Sequence, residues 1–154
     1  MTIEEIQTYI FQNFENVNLV EVNGDLFFMC DKHDKQPFAT IVTKDNEYDN
    51  MSDLNREGFF RLNIGLDKET FNTMFGGMTN KKGFEAYMDL GIDFTEENII
   101  LPHPTYGAMY WICIVKPSNE TFESLKKYLK LSFNRNAKKD QQLSEIKNTS
   151  HEQQ

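Results

Sequence analysis

The stretch Met109-Tyr110-Trp111-Ile112-Cys113-Ile114-Val115, entered after Gly107 and left at Pro117-Ser118, decides the fold. Successive side chains of a strand point to opposite faces, so a run that is apolar at both parities must be covered on both sides. It predicts a central strand over residues 109–115 that anchors a sheet. Beyond it, Ser118 has the chemistry of a helix cap, and Phe122, Leu125, Leu129 and Phe133 recur at three and four with lysines opposite. That pattern predicts a long amphipathic helix packed on the sheet.

Working back toward the start, residues 59–64 alternate Phe60, Leu62 and Ile64 against Arg61 and Asn63, and residues 38–43 are β-branched and follow Pro37. Both predict strands. Two apolar runs, 19–22 and 26–30, flank Asn23-Gly24, a hairpin turn signal. Thr2 and Glu5 have capping-box spacing, and Ile3, Ile6, Ile10 and Phe14 form one stripe, predicting a helix over residues 3–15. Between the fourth and fifth strands lies a less regular insert. Asp67 caps a short helix with Phe71, Met74 and Phe75, stopped at Gly76-Gly77. Further helical turns are expected around Phe84–Leu90 and Glu96–Leu101, before Pro102 and Pro104. The order helix, strands, insert, strand, helix predicts an α+β domain with an antiparallel sheet of about five strands and the terminal helices on one face.

With 154 residues, 24 acidic and 16 basic side chains and 39% hydrophobic residues, the chain reads as a single domain large enough to bury a core. The domain is expected over residues 1–135. Residues 136–154 are polar, with few aliphatics beyond Ala137, and read as a disordered tail. Cys30 and Cys113 are far apart and outside any Cys-x-x-Cys spacing, which suits thiols in a reducing compartment. The start lacks a signal-like apolar segment, and the longest apolar run is too short for a membrane helix. A cytoplasmic location away from membranes is therefore expected.

Charge is uneven along the chain. Glu4, Glu5, Glu15, Glu21, Asp25 and Asp31 precede the first cation, Lys32, whereas Lys126, Lys127, Lys130, Arg135, Lys138 and Lys139 cluster on and after the last helix. Cations near a helix C-terminus complement its dipole. Set against a net charge of −8 they argue against nucleic acid as a partner.

Three constellations carry possible chemistry. His103, held between Pro102 and Pro104, titrates near neutrality and is a candidate acid or base, with Tyr106 as an auxiliary donor. A loop that ends the insert explains the same residues. Arg61 and Asn63 share a strand parity and could floor a site for a carboxylate or phosphate, or be satisfied internally by an acid such as Asp25 or Asp53. Cys30, His33, His103 and Cys113 supply zinc-ligand types, but without knuckle spacing they read as core cysteines and scattered histidines, so no metal is expected. Gly76-Gly77 lacks a phosphate-loop ending, and neither Gly-x-Gly-x-x-Gly nor Gly-x-Ser-x-Gly occurs, so no cofactor is expected. Thirteen phenylalanines and seven methionines fall mainly on the core stripes.

The blocks Gly24-Asp25-Leu26-Phe27-Phe28, Pro37-Phe38-Ala39-Thr40-Ile41-Val42-Thr43, Phe60-Arg61-Leu62-Asn63-Ile64-Gly65 and Pro102-His103-Pro104-x-Tyr106 resemble domain-of-unknown-function family 6194, a bacterial family. The likeness runs from about Met1 to Phe133 and includes Trp111-Ile112-Cys113-Ile114 and Pro117-Ser118. The family usually has aspartate and proline at Asn55 and Glu57, and proline at Lys32, so those loops are expected to differ. More distantly the chain is similar to the MmcQ/YjbR group, described as a double-wing, DNA-binding α+β fold. The resemblance implies architecture and no reaction, since fold does not fix function.

Two functions follow as expectations. One is a noncatalytic module whose sheet face around Arg61, Asn63 and Trp111 binds a small anionic ligand or a protein partner. The alternative is a small enzyme acting on an anionic metabolite, with His103 as acid/base, Tyr106 as donor and Arg61 orienting the anion.

Overall fold

A computed structural model describes the backbone of residues 1–32 and 35–152, and side chains within that range up to residue 138. The elements are α1 (Ile3–Asn13), β1 (Asn18–Val22), β2 (Asp25–Met29), β3 (Ala39–Val42), β4 (Arg61–Gly65), α2 (Lys68–Phe75), β5 (Leu101–Pro102), β6 (Trp111–Val115) and α3 (Asn119–Glu152). A 3-10 turn, Tyr106–Met109, precedes β6. The sheet order is β1-β2-β3-β4-β6-β5, with every strand pair antiparallel. This is an α+β fold whose central strands are β3, β4 and β6.

Local chemistry accounts for most boundaries. The Thr2 hydroxyl accepts the Glu5 N–H at 3.1 Å, Asp67 accepts that of Thr70 at 2.7 Å, and Ser118 accepts that of Thr121 at 3.1 Å, so each helix begins at a side-chain cap. Between β1 and β2, Asn23 and Gly24 have φ of 53° and 89°, the left-handed pair that a two-residue hairpin turn requires.

Register separates the sheet into two faces. Leu26, Phe28, Ala39, Ile41, Leu62, Ile64, Ile112 and Ile114 share one face. They form a single buried cluster with Ile6 and Ile10 of α1 and Phe122, Leu125 and Leu129 of α3. Each of the larger of these side chains contributes about 1.5–3 kcal/mol on burial. Aromatic contacts tie the layers: Phe14 stacks on Phe133 at 4.8 Å, and Tyr9 meets Phe122 edge-on at 5.3 Å. Ser132 is buried on α3 and donates to the Phe38 carbonyl at 2.7 Å.

Two expectations differ from the structure. The sheet has six strands, not five, because Leu101 and Pro102 pair with Cys113 and Ile112 where a helical turn was expected. Glu97 also bridges to Val115, so this segment finds its backbone partners on the edge of β6. The segment around Phe84–Leu90 forms turns rather than a helix, with Gly83 and Gly91 in left-handed conformations at its ends. The helix α3 runs through the expected 135/136 boundary to Glu152. Its polar residues include strong helix formers, so low hydrophobicity does not by itself end the helix. Near that boundary Asn136 still donates to the Gln36 carbonyl at 3.1 Å.

Candidate functional site

The other face of the sheet carries Phe27, Thr40, Asn63 and Cys113 in one row across the strands, with Arg61 between Val42 and Val115 in the next. Arg61 and Asn63 are buried here, under the long β3–β4 loop and the Pro102–Pro104 segment. A buried guanidinium is tolerable only when its charge is paired and its donors are satisfied.

Four hydrogen bonds and one close approach surround the group. Arg61 Nε donates to Asn63 Oδ1 at 2.8 Å, and Nη1 donates to Asp49 Oδ1 and Ser52 Oγ, both at 2.9 Å. Nη2 donates to Asp49 Oδ2 and faces His103 Nε2 at 3.0 Å. Arginine has five N–H groups, and each has a neighbour of this cluster in reach. Asn63 in turn donates to Thr40 Oγ1 at 2.9 Å. Asp49 keeps some contact with solvent, its side chain 17% exposed.

The loop that delivers Asp49 is built from its own polar side chains. Asn46 Oδ1 accepts the N–H groups of Tyr48 and Asp49 at 2.8 and 2.9 Å, an Asx turn that turns the Asp49 side chain inward. Asp45 accepts the Leu54 N–H at 2.9 Å, and Asn55 accepts the Asp45 N–H at 3.0 Å. Leu54 and Ser52 are buried beneath it.

His103 sits in a conflict of donors. Its Nδ1 accepts the backbone N–H groups of Thr105 at 3.1 Å and Tyr106 at 2.9 Å. A neutral imidazole has one lone pair, so an acceptor Nδ1 places the proton on Nε2, which faces the Arg61 donor. The nearest acid to Nε2 is Asp49 Oδ2, at 4.0 Å. Three N–H groups thus converge on a ring with one lone pair, and protonation would set a second cation beside Arg61. Burial first, then the adjacent Arg61 charge, push the His103 pKa down to about 3, with Asp49 opposing. For Asp49, burial alone would raise the pKa, but hydrogen bonding and charge from Arg61 outweigh it and hold the carboxyl below its ordinary range. Burial pushes the neighbouring Cys113 thiol up to about 12, with Arg61 opposing.

The structure therefore brings Arg61, Asn63 and His103 into one cluster. Tyr106 lies at its margin: its backbone caps His103 and its ring centroid is 5.0 Å from the imidazole, while the residue is 47% exposed. Trp111 is on the same face, opposite Gly65 and four residues along β4 from Arg61. Its ring lies so close over Gly65 that an added Cβ would stand 2.9 Å from Cε2.

The acid paired with Arg61 is neither Asp25 nor Asp53. Asp25 accepts from the Thr43 N–H at 2.9 Å, and Asp53 lies 3.4 Å from Arg56. Sequence reasoning missed Asp49 and Ser52. The available signal was the Asn46-x-Tyr48-Asp49 turn chemistry in a loop facing the polar parity of β4. Of the zinc-ligand types, Cys30 belongs to the helix-side core, Cys113 pairs with Asn63 on the other face, and His33 lies outside the described residues. Among the described residues no group of three or more His, Cys, Asp or Glu is placed to hold a metal. In the basic cluster, Lys126 meets Glu123 at 2.6 Å and Arg135 donates to the Leu66 carbonyl at 2.9 Å, while the Lys139 side chain lies outside the described ones. Among the described residues no helix is long and apolar enough to cross a membrane.

Comparison with curated proteins and with solved structures returns no match. A family model matches residues 1–145, and the chain belongs to the family of unknown function DUF6194.

Proposed function

We propose that this domain is a noncatalytic binding module whose partner is a protein, and that the Arg61 cluster is an internal clasp. The observation that carries this reading is the enclosure of Arg61: four of its N–H groups are hydrogen-bonded to Asp49, Ser52 and Asn63, and the fifth points at the buried His103 ring rather than at solvent. A general base is most effective with a pKa near the working pH. His103, held neutral down to about 3, is far from that condition.

The alternative, a small enzyme acting on an anionic metabolite, draws on the 3.0 Å approach of His103 to Arg61. It requires the anion to displace Asp49 from two hydrogen bonds. A YjbR-like relationship and a cytoplasmic location belong to the same proposal, supported by the helix–antiparallel sheet–helix order and by two buried cysteines lying on opposite sides of the sheet.

Titration with acetate, phosphate and citrate tests the reading. Thermal unfolding should show no specific stabilisation, and the His103 and Arg61 side-chain NMR signals should not move. An anion that saturably raises the unfolding temperature and shifts both signals would overturn the internal clasp in favour of a small-anion site.

A further inference from the structure

The two edges of the sheet are finished differently. At one end β5 is two residues long, one of them Pro102, which has no N–H to offer. At the other end β1 is a five-residue strand in unbroken register with β2, with no proline, glycine or lysine in Asn18–Val22. Among the described residues, its backbone makes no hydrogen bond other than those to β2. Natural edges are usually shortened, bulged, covered or guarded by charge; of these devices β1 carries only Glu21, so it is a template for a strand that matches that carboxylate.

The side chains around this edge define what would fit. Val20 and Val22, 38% and 50% exposed, lie on the face shared with Phe27. On the helix side are Leu19 and Glu21, and Phe11 of α1, 47% exposed, packs against Phe28, the register partner of Leu19. An incoming strand would place one parity against Val20 and Val22, and the other between Phe11, Leu19 and Glu21. The hairpin itself carries one sign of charge: Glu21 and Asp25 are the charged residues of Asn18–Met29, and Glu21 is exposed. A second copy of this edge would bring unmatched carboxylates together, whereas a basic segment would neutralise them.

We propose that β1 accepts an extended segment of a partner protein, alternating aliphatic and basic residues, as a seventh strand. The proposal rests on the binding-module reading and names the surface and the class of partner. Main-chain hydrogen bonds to β1 supply the affinity, and Val20, Val22 and Glu21 select the side chains.

The test uses the isotope-labelled full chain and a synthetic capped hexapeptide of alternating lysine and valine. Binding should shift the backbone amides of Asn18–Val22. Methylating alternate peptide nitrogens should abolish it, and the glutamate–valine counterpart should fail to bind. Glu21→Gln should weaken binding about threefold, the scale of one exposed ion pair. Val20→Lys, at an exposed position, should weaken it about tenfold through lost apolar contact and like charge. No shift at millimolar peptide, equal binding of the methylated peptide, or a wild-type dimer joined through β1 overturns the proposal. Shifts confined to the α1–α3 groove at Glu4, Tyr9 and Lys126 overturn the edge while leaving the binding-module reading intact. The anion titration tests that reading separately.

Discussion

The face of the sheet under α1 and α3 and the face under the β3–β4 loop are lined by the same strands at alternate residues, yet they are held by different forces. Under the helices, Phe28, Ile41, Leu62 and Ile114 pack against apolar stripes, an attraction without direction that tolerates small shifts. Under the loop, Arg61 and Asn63 hold Asp49, Ser52 and Thr40 through hydrogen bonds that demand geometry, with the His103 ring against Arg61. The first face supplies most of the folding energy; the second fixes where an irregular loop and a proline-flanked turn lie. A polar clasp of this kind is strongly felt when one partner is removed, but is replaceable when removed whole.

Truncation on each side gives the largest effects. Phe28→Ala should destabilise by about 3–5 kcal/mol through lost burial and the cavity left behind. Arg61→Ala should lose a similar amount, about 3–5 kcal/mol, because Asp49 remains partly buried without its cation. Urea unfolding measures both. The joint replacement Arg61→Met with Asp49→Leu separates the mechanisms, since it should recover most of the Arg61→Ala loss, and failure to do so would show that the clasp contributes net stability.

Acid distinguishes the faces next. His103 is pushed down to about 3, from an ordinary value near 6.5. Between those values the unfolded chain binds a proton that the folded chain does not. Stability should therefore fall as pH is lowered through this window, by up to about 1.4 kcal/mol per pH unit. Asp49, whose folded pKa is depressed, contributes stability that is present above the ordinary carboxylate range and lost as pH falls through its folded value. Unfolding free energies from pH 7 to 4 should show the histidine slope in the wild type and a flatter one in His103→Asn, whose side-chain oxygen can still accept from the following turn. Equal slopes would place His103 in a wetter setting than the clasp.

Smaller effects probe the margins. Gly65→Ala presses a methyl group toward Trp111 and should cost about 1–3 kcal/mol, with a shift in the emission of this sole tryptophan. An unchanged spectrum would mean that the ring moves freely aside. Lys81→Ala removes an exposed pair with Asp89 at 3.3 Å and should change stability by less than about 0.5 kcal/mol by thermal unfolding.

Both helix starts at Thr2 and Ser118, the Asn23-Gly24 turn and the parity that puts Arg61 and Asn63 together were legible in the residues, because caps, turns and alternation act over three or four positions. The expected site was legible only in part. Arg61 and Asn63 could be grouped from one strand, but Asp49 reaches Arg61 across 12 positions and His103 across 42, distances over which no periodicity operates. β5 was missed for a related reason: a two-residue strand has no pattern of its own and exists because β6 offers an edge to pair with. By itself, the sequence determined the α+β class, the helix-side core and the family, since short-range pattern and apolar burial specify them. Tertiary structure alone decided that Asp49 pairs with Arg61, that His103 is neutral and buried, and that β1 is the open edge. Those outcomes depend on which distant groups meet inside a low-dielectric interior, where every buried charge and N–H must find a partner.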